Sequence, residues 1–292
     1  PADPVRWSTA VSVNPDKVQA PGFGARLAGA LASRGPVCVG IDPSPDLLAQ
    51  WDLPDSVAGL REFALSVIDE IGPFAAAVKP QSAFFERHGA AGIAVLEETI
   101  TAARAAGSLV VLDAKRGDIG STMTAYAQAY LGEGPLAADA VTLSPFLGFG
   151  SLQPAVELAS ATGRGVFVLT LTSNPEGLTI QHARDDGMTV AAQIAEAAGA
   201  VNAGAKPYGH VGLVIGATVG DAIRRTGVNL TQVNGPILAP GVGAQGGAAS
   251  AISSLFDPIA DRVLVPISRG ILSAGRGRLG LVLDRYNTEV AG

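Results

Sequence analysis

The chain has 292 residues, 48% of them hydrophobic and 16% charged, which is ample for one large core. A net charge of -6 with a pI near 5.1 excludes a basic field that would hold nucleic acid or an anionic membrane. The single Cys38 excludes an internal disulfide framework and fits a reducing compartment, and His88, His182 and His210 are too scattered for a zinc site.

Residues 1–20 begin "PADPVRWSTAVSVNPDK", without the basic start and apolar core of a signal peptide. They are expected to form an irregular N-terminal extension, with residues 21–292 as one domain. No apolar stretch approaches the ~20 residues that span a bilayer, so a soluble cytoplasmic protein is expected. Eight short aliphatic runs then follow in order: "VCVGID" (37–42), "FAAAVKP" (74–80), "SLVVLDAK" (108–115), "AVTLSP" (140–145), "GVFVLTLTS" (165–173), "VGLVIGAT" (211–218), "PILAPGVG" (236–243) and "RVLVPISRG" (262–270). Between them the apolar residues recur with a helical period, as at Ile93, Leu96, Ile100 and Ala103, or Val190, Ile194, Ala197 and Val201. Continuous apolar strands alternating with amphipathic helices indicate a parallel sheet covered by helices. Eight such units in roughly 250 residues predict a (β/α)8 TIM barrel, a better match than a doubly wound open sheet, and the chain has no linker to divide it.

A barrel of this kind builds its site at the C-terminal ends of its strands. There the sequence places Asp42, Lys79, Asp113, Lys115, Thr172 and Ser173, then "PGVGAQGG" and "SRG". In "VLDAKRGDIGST" (110–121), strand alternation puts Leu109, Val111, Asp113 and Lys115 on one face. If that face points inward, Asp113 and Lys115 project together at the mouth. Gly117 would permit a sharp turn, and Asp118 would open the next helix, where it could equally serve as an N-cap. Lys79 could be a surface lysine and Asp42 the start of an Asx-type turn, but barrel geometry puts both on the same rim. Charge converging on an apolar mouth is costly unless function requires it.

"GVGAQG" matches G-x-G-x-x-G, yet it follows the seventh run rather than the first, and the next strand ends in Arg269 rather than an acid. The loops after strands seven and eight of such barrels commonly hold phosphate. Glycines 241, 243, 246 and 247 would let backbone amides approach an anion, Arg269 would supply a guanidinium, and Gln245 could close over it. A plain glycine-rich turn is the alternative. The implied substrate is a small phosphorylated molecule, and with no metal ligands evident a lysine must act as electrophile or acid.

"VGIDPSP" (39–45), "VKPQSAFFE" (78–86), "DAKRGDIG" (113–120), "TSNPEG" (172–177) and "APGVGAQGG" (239–247) together resemble the orotidine 5′-phosphate decarboxylase family. The D-x-K-x-x-D core with "RG" inside it is similar to the branch often called type 2. The resemblance runs from about residue 22 to the C-terminal helix. It implies conversion of orotidine 5′-monophosphate to uridine 5′-monophosphate and carbon dioxide in de novo pyrimidine synthesis, with no metal or organic cofactor. Carried over, Lys79, Asp113, Lys115 and Asp118 form an alternating catalytic network. The resemblance also implies a homodimer that contributes Asp118 in trans, with Ile119 and Thr122 beside it. Asp42 and Lys79 would hold ribose hydroxyls, assisted by Thr122, and Ser173 would meet the pyrimidine edge. Pro240, Gln245, Arg269 and nearby amides would line the phosphate end. Ser268 stands where some branches have glycine, which leaves its amide donor intact. Two other readings share features with this one. A magnesium-dependent sugar-phosphate decarboxylase or synthase of the same superfamily also carries D-x-K-x-x-D, but with an acid where this chain has Lys79. A non-catalytic nucleotide-binding barrel would keep Arg269 and the glycine loop and have no need of Lys115.

Overall fold

The computed structural model describes residues 21–243 and 247–292. The expected extension at residues 1–20, and Gln245, lie outside them. Eight parallel strands form the predicted closed barrel: β1 (Val37–Ile41), β2 (Ala77–Pro80), β3 (Leu109–Arg116), β4 (Ala140–Leu143), β5 (Gly165–Leu171), β6 (Val211–Ile215), β7 (Ile237–Leu238) and β8 (Val263–Ile267). Each pairs with its neighbours in chain order, and β1 closes the ring against β8. Around the barrel run α1 (Phe23–Arg34), α2 (Val57–Ile71), α3 (Gly89–Ala105), α4 (Gly120–Leu131), α5 (Gln153–Ala161), α6 (Val190–Val201) and α7 (Leu279–Ala291), with shorter helical turns between them.

Most strands are shorter than their apolar runs. The run at 74–80 becomes strand only from Ala77, and Phe74 is exposed. The run at 236–243 pairs over just Ile237–Leu238, because Pro240 has no N–H to donate to a ladder. Asp42 lies one residue beyond β1, and Thr172 and Ser173 follow β5.

The helix faces also differ from the expected ones. In α3 the buried set is Gly92, Val95, Leu96, Thr99, Ile100 and Ala103, so Ile93 sits at the margin. In α6 the buried set is Ala191, Ala192, Ile194, Ala195 and Ala198, while Val201 is exposed. Small alanines let that helix approach the sheet closely, and a reading weighted toward large apolar residues rotates the face away from them.

Two apolar clusters hold the fold. The larger lies between the outer strand faces and the helices. The smaller fills the barrel and takes one residue from every strand: Cys38, Ala77, Val111, Ala140, Phe167, Val214, Leu238 and Leu264. Helix α1 closes the bottom, its Phe23 ring set edge-on to Phe167 with centroids 5.9 Å apart. Two residues further along the strands, side chains on the same inward face reach the top of the barrel. That step, fixed by strand periodicity, leads from the apolar plug to the site.

Candidate active site

Stepping from Cys38 gives Gly40 and then Asp42. From Ala77 it gives Lys79, from Val111 it gives Asp113 and Lys115, and from Ala140 it gives Thr142. All of these line one cavity of ≈ 730 Å³ at the C-terminal mouth. The inward orientation expected for Val111, Asp113 and Lys115 is therefore the one observed.

Asp113 is the hub. Its Oδ2 accepts from Lys79 Nζ at 3.0 Å, and its Oδ1 accepts from Lys115 Nζ at 2.6 Å and from Thr142 Oγ1 at 2.9 Å. Lys79 Nζ also donates to Gln81 Oε1 at 3.3 Å and lies 3.9 Å from Asp42 Oδ1. Lys79 and Asp113 are only 7% and 8% exposed. Burial alone would strip the proton from Lys79, but the carboxylates of Asp113 and Asp42 outweigh it and hold the ammonium above its ordinary value. Burial would likewise raise Asp113, yet Lys79 and Lys115 overcome it and bring the carboxyl down to about 2. Both groups are thus charged across the physiological range. Cys38 lies within the apolar plug, and burial pushes its thiol up to about 12, so it supplies no nucleophile.

Two glycines make the geometry possible. A Cβ on Gly40 would sit 2.7 Å from Ser268 Cβ, so only glycine lets the ends of β1 and β8 come together there. A Cβ on Gly117 would lie 2.3 Å from the Ser144 carbonyl oxygen, so this glycine serves close packing, where the sequence suggested a turn.

Across the mouth, Ser173, Pro240, Ser268 and Arg269 also line the cavity. The Arg269 side chain is exposed and has no hydrogen-bond or ion-pair partner among the described residues. Two buried oxygens, Asp42 Oδ1 and Ser268 Oγ, have no hydrogen-bond partner within the chain. A polar ligand would satisfy both. The glycine loop is partly self-satisfied: Gly243 N–H donates to Gly247 O at 2.9 Å, and Gly247 N–H to Gly241 O at 3.2 Å. Those two amides, expected to face an anion, are engaged within the loop, and Gly246 lies outside the described residues.

Asp118, Ile119 and Thr122 stand apart. None lines this cavity, and Ile119 is 62% exposed. Asp118 does not cap α4: Ile119 occupies the N-cap position, and among the described residues the Asp118 carboxylate accepts only the adjacent Ile119 N–H, at 2.7 Å.

Thr142 and Gln81 escaped the sequence reading. In "AVTLSP" the threonine looks like ordinary β-branched strand filler. Its position two residues beyond the plug residue Ala140 was the available signal. Among the described residues no group of three or more His, Cys, Asp or Glu is placed to hold a metal ion, and no helix is long and apolar enough to cross a membrane.

Comparison with known proteins agrees with this geometry. The model of the orotidine 5′-phosphate decarboxylase / HUMPS family matches residues 35–278. The orotidine 5′-phosphate decarboxylase of Salinispora tropica is 56% identical over 255 residues, covering 87% of this chain and 90% of the relative. That of Streptomyces coelicolor is 52% identical over 272 residues, covering 92% and 96%. A solved structure of a family member from Streptomyces avermitilis superposes with a TM-score of 0.90 at 50% identity, over 96% of this chain and 98% of the other. The OMP decarboxylase of Leishmania donovani gives 0.75 at 32% identity, over 93% and 100%. An eight-stranded barrel with a lysine–aspartate–lysine array at its mouth, matched along most of its length at more than half identity, leaves no ambiguity of kinship: the chain belongs to the orotidine 5′-phosphate decarboxylase / HUMPS family.

Proposed function

We propose that this chain converts orotidine 5′-monophosphate to uridine 5′-monophosphate and carbon dioxide, as a cytoplasmic enzyme of pyrimidine biosynthesis that needs no metal or organic cofactor. The barrel within residues 21–292 is the catalytic unit. The observation that carries this reading is the Lys79–Asp113–Lys115 array under the cavity. It occurs in a chain 56% identical to relatives named for that reaction.

Loss of carbon dioxide leaves a lone pair on the C6 ring carbon, with no conjugated position to accept it. The Lys115 ammonium is the group that meets this charge. A cation held ~4 Å away is worth roughly 4 kcal/mol at an effective dielectric of 20, and preorganisation means none of that is spent on turning the group at the moment of reaction. Lys115 then transfers a proton to C6, the C–H bond forming as the N–H bond breaks. Asp113 keeps Lys115 aimed through the 2.6 Å contact to its ammonium. Asp42 and Lys79 bind the ribose hydroxyls, Ser173 the pyrimidine edge, and Pro240, Gln245, Ser268 and Arg269 the phosphate end. Phosphate contacts remote from the ring provide the binding energy that closes and dries the site.

Asp118, Ile119 and Thr122 act in the neighbouring site of a homodimer. Their separation from the cavity of their own chain supports that assignment. The magnesium-dependent alternative is disfavoured by Lys79, whose ammonium sits between Asp42 and Asp113 and neutralises carboxylates that would otherwise attract a divalent cation. The decisive experiment follows the loss of orotidylate absorbance with protein pretreated with EDTA. Undiminished turnover is expected. Activity that vanishes with EDTA and returns with magnesium would favour the synthase-type reading. Uridylate binding without turnover would favour a sensor.

A further inference from the structure

We propose that Thr142 is a positioning residue for this decarboxylation, its hydroxyl fixing both the backbone and the counter-ion of Lys115. The proposal rests on the reading of Lys115 as the proton donor.

In the β3–β4 ladder Leu112 pairs with Val141, and the next pair is Arg116 with Leu143. Three residues of β3, Asp113 to Lys115, therefore stand opposite a single residue of β4, which is Thr142. A bulge of this kind re-aims side chains, and here it carries the charged pair. It is also strained. Lys115 has φ +47°, in the left-handed region that a lysine rarely occupies. Such a conformation persists only where its surroundings over-determine it.

Thr142 supplies that constraint from inside the barrel. It is 1% exposed. Its hydroxyl accepts the Lys115 backbone N–H at 3.0 Å and donates to Asp113 Oδ1 at 2.9 Å, the same oxygen that receives Lys115 Nζ. The direction of both bonds is dictated by chemistry, because a backbone N–H can only donate and an ionised carboxylate can only accept. One hydroxyl does both, closing a ring that runs from the Lys115 backbone through Thr142 and Asp113 to the Lys115 ammonium. Outside the barrel the bulge is pinned by Arg116, which donates to the Ala114 carbonyl at 2.9 Å, pairs with Glu86 and lies over the Tyr126 ring. Only the inner pin touches both the strained residue and its carboxylate. Without it the Lys115 backbone is free to relax toward negative φ, carrying the ammonium away from its aim.

The test compares T142V, which keeps the shape and loses the hydroxyl, with T142S, which keeps the hydroxyl and loses the methyl. For each, kcat and KM for orotidylate and Kd for uridylate are measured. A misplacement of about 1 Å in a positioned group lowers turnover by on the order of 100-fold, so T142V should lose roughly that factor in kcat. Its uridylate Kd should stay within about threefold of wild type, and T142S should recover kcat to within about fivefold. Should T142V fail to fold, T142A is expected to give the same pattern. Turnover by the hydroxyl-free variant near the wild-type rate would overturn the proposal. So would uridylate affinity falling in step with kcat, or a serine that rescues nothing. A wild-type protein that binds uridylate but leaves orotidylate intact would instead bring down the functional reading, and this proposal with it. Active wild type beside an equally active T142V sinks the Thr142 role alone.

Discussion

Replacing Asp113 by asparagine keeps the shape of the hub and removes its charge. Lys79 then loses a carboxylate oxygen at 3.0 Å and retains only Asp42, at 3.9 Å. At an effective dielectric of 20 these separations correspond to roughly 5.5 and 4 kcal/mol of attraction before desolvation is counted. Removing one partner of a buried ion pair typically destabilises by about 3–5 kcal/mol, and the surviving Asp42 contact places this case near ~3 kcal/mol. The pH dependence gives a second route to the same quantity. Asp113 falls from an ordinary 3.8 to about 2 in the folded chain, so near pH 3 the folded state binds fewer protons than the unfolded one. Its contribution is therefore complete above about pH 4 and is lost as the pH falls through 2, and its size is roughly 2 kcal/mol. The two routes agree in order of magnitude. Urea unfolding of wild type, D113N, K79M and the double variant, followed by tryptophan fluorescence, measures it. D113N should lose ~2–3 kcal/mol at pH 7, and the gap to wild type should narrow below pH 4. The double variant should recover part of the loss, since it no longer buries the Lys79 ammonium beside a neutral asparagine side chain and leaves only the partly exposed Asp42 carboxylate without its cation. A D113N protein within about 0.5 kcal/mol of wild type, or strict additivity in the double variant, would refute the claim that Asp113 holds Lys79 charged in the interior.

Three further outcomes follow from the proposed chemistry. Lys115→Ala should abolish decarboxylation while uridylate still binds, as isothermal titration would show, because the ribose and phosphate contacts lie elsewhere. Arg269→Ala should raise the KM for orotidylate strongly and also lower kcat if phosphate binding drives closure, whereas near-normal steady-state kinetics would remove the phosphate assignment. Mixing inactive Lys115→Ala and Asp118→Ala chains should restore roughly a quarter of wild-type activity after verified subunit exchange, since about half the dimers are mixed and each carries one intact shared site.

The barrel was legible because its strands are buried on both faces and so read as unbroken aliphatic runs, a pattern that survives errors in where each strand stops. Much of the site was legible for a related reason. Once Val111 is inward, strand alternation forces Asp113 inward with it, and the same parity brings Lys79 and Asp42 to the same rim. What parity cannot reveal is the bulge. Nothing in "DAKRGD" announces that three residues will face one, or that Lys115 will adopt positive φ, because both depend on pairing with a strand about 27 residues away, the separation of Lys115 from Thr142. The engagement of two glycine amides within their own loop was hidden from the sequence for a similar reason. Glycines advertise freedom for backbone amides, but whether those amides face a ligand or each other is decided by the loop's own hydrogen bonds.

The two lysines of the array differ most in their access to water, and under the proposed reaction that difference assigns their roles. The Lys79 side chain is 9% exposed and that of Lys115 is 45% exposed, although both bond to the same carboxylate. The two lysines and two carboxylates that one chain supplies to the array balance in charge before reaction. When Lys115 gives its proton to the ring carbon, Asp42 and Asp113 remain opposed by Lys79 alone, and the array carries one net negative charge in a setting of low dielectric above an apolar plug. A proton must return before the next turnover. Lys115 can take it from solvent once the product leaves, whereas Lys79 is buried, with its ammonium bonded to Asp113 and Gln81. Lys79 is thus suited to remain a fixed counter-charge and Lys115 to cycle. The plug beneath them sharpens the distinction, since removing water from one side strengthens every charge interaction on the other. Exchanging the exposures of the two side chains, with every distance kept, would leave an array of the same charge that could not reload.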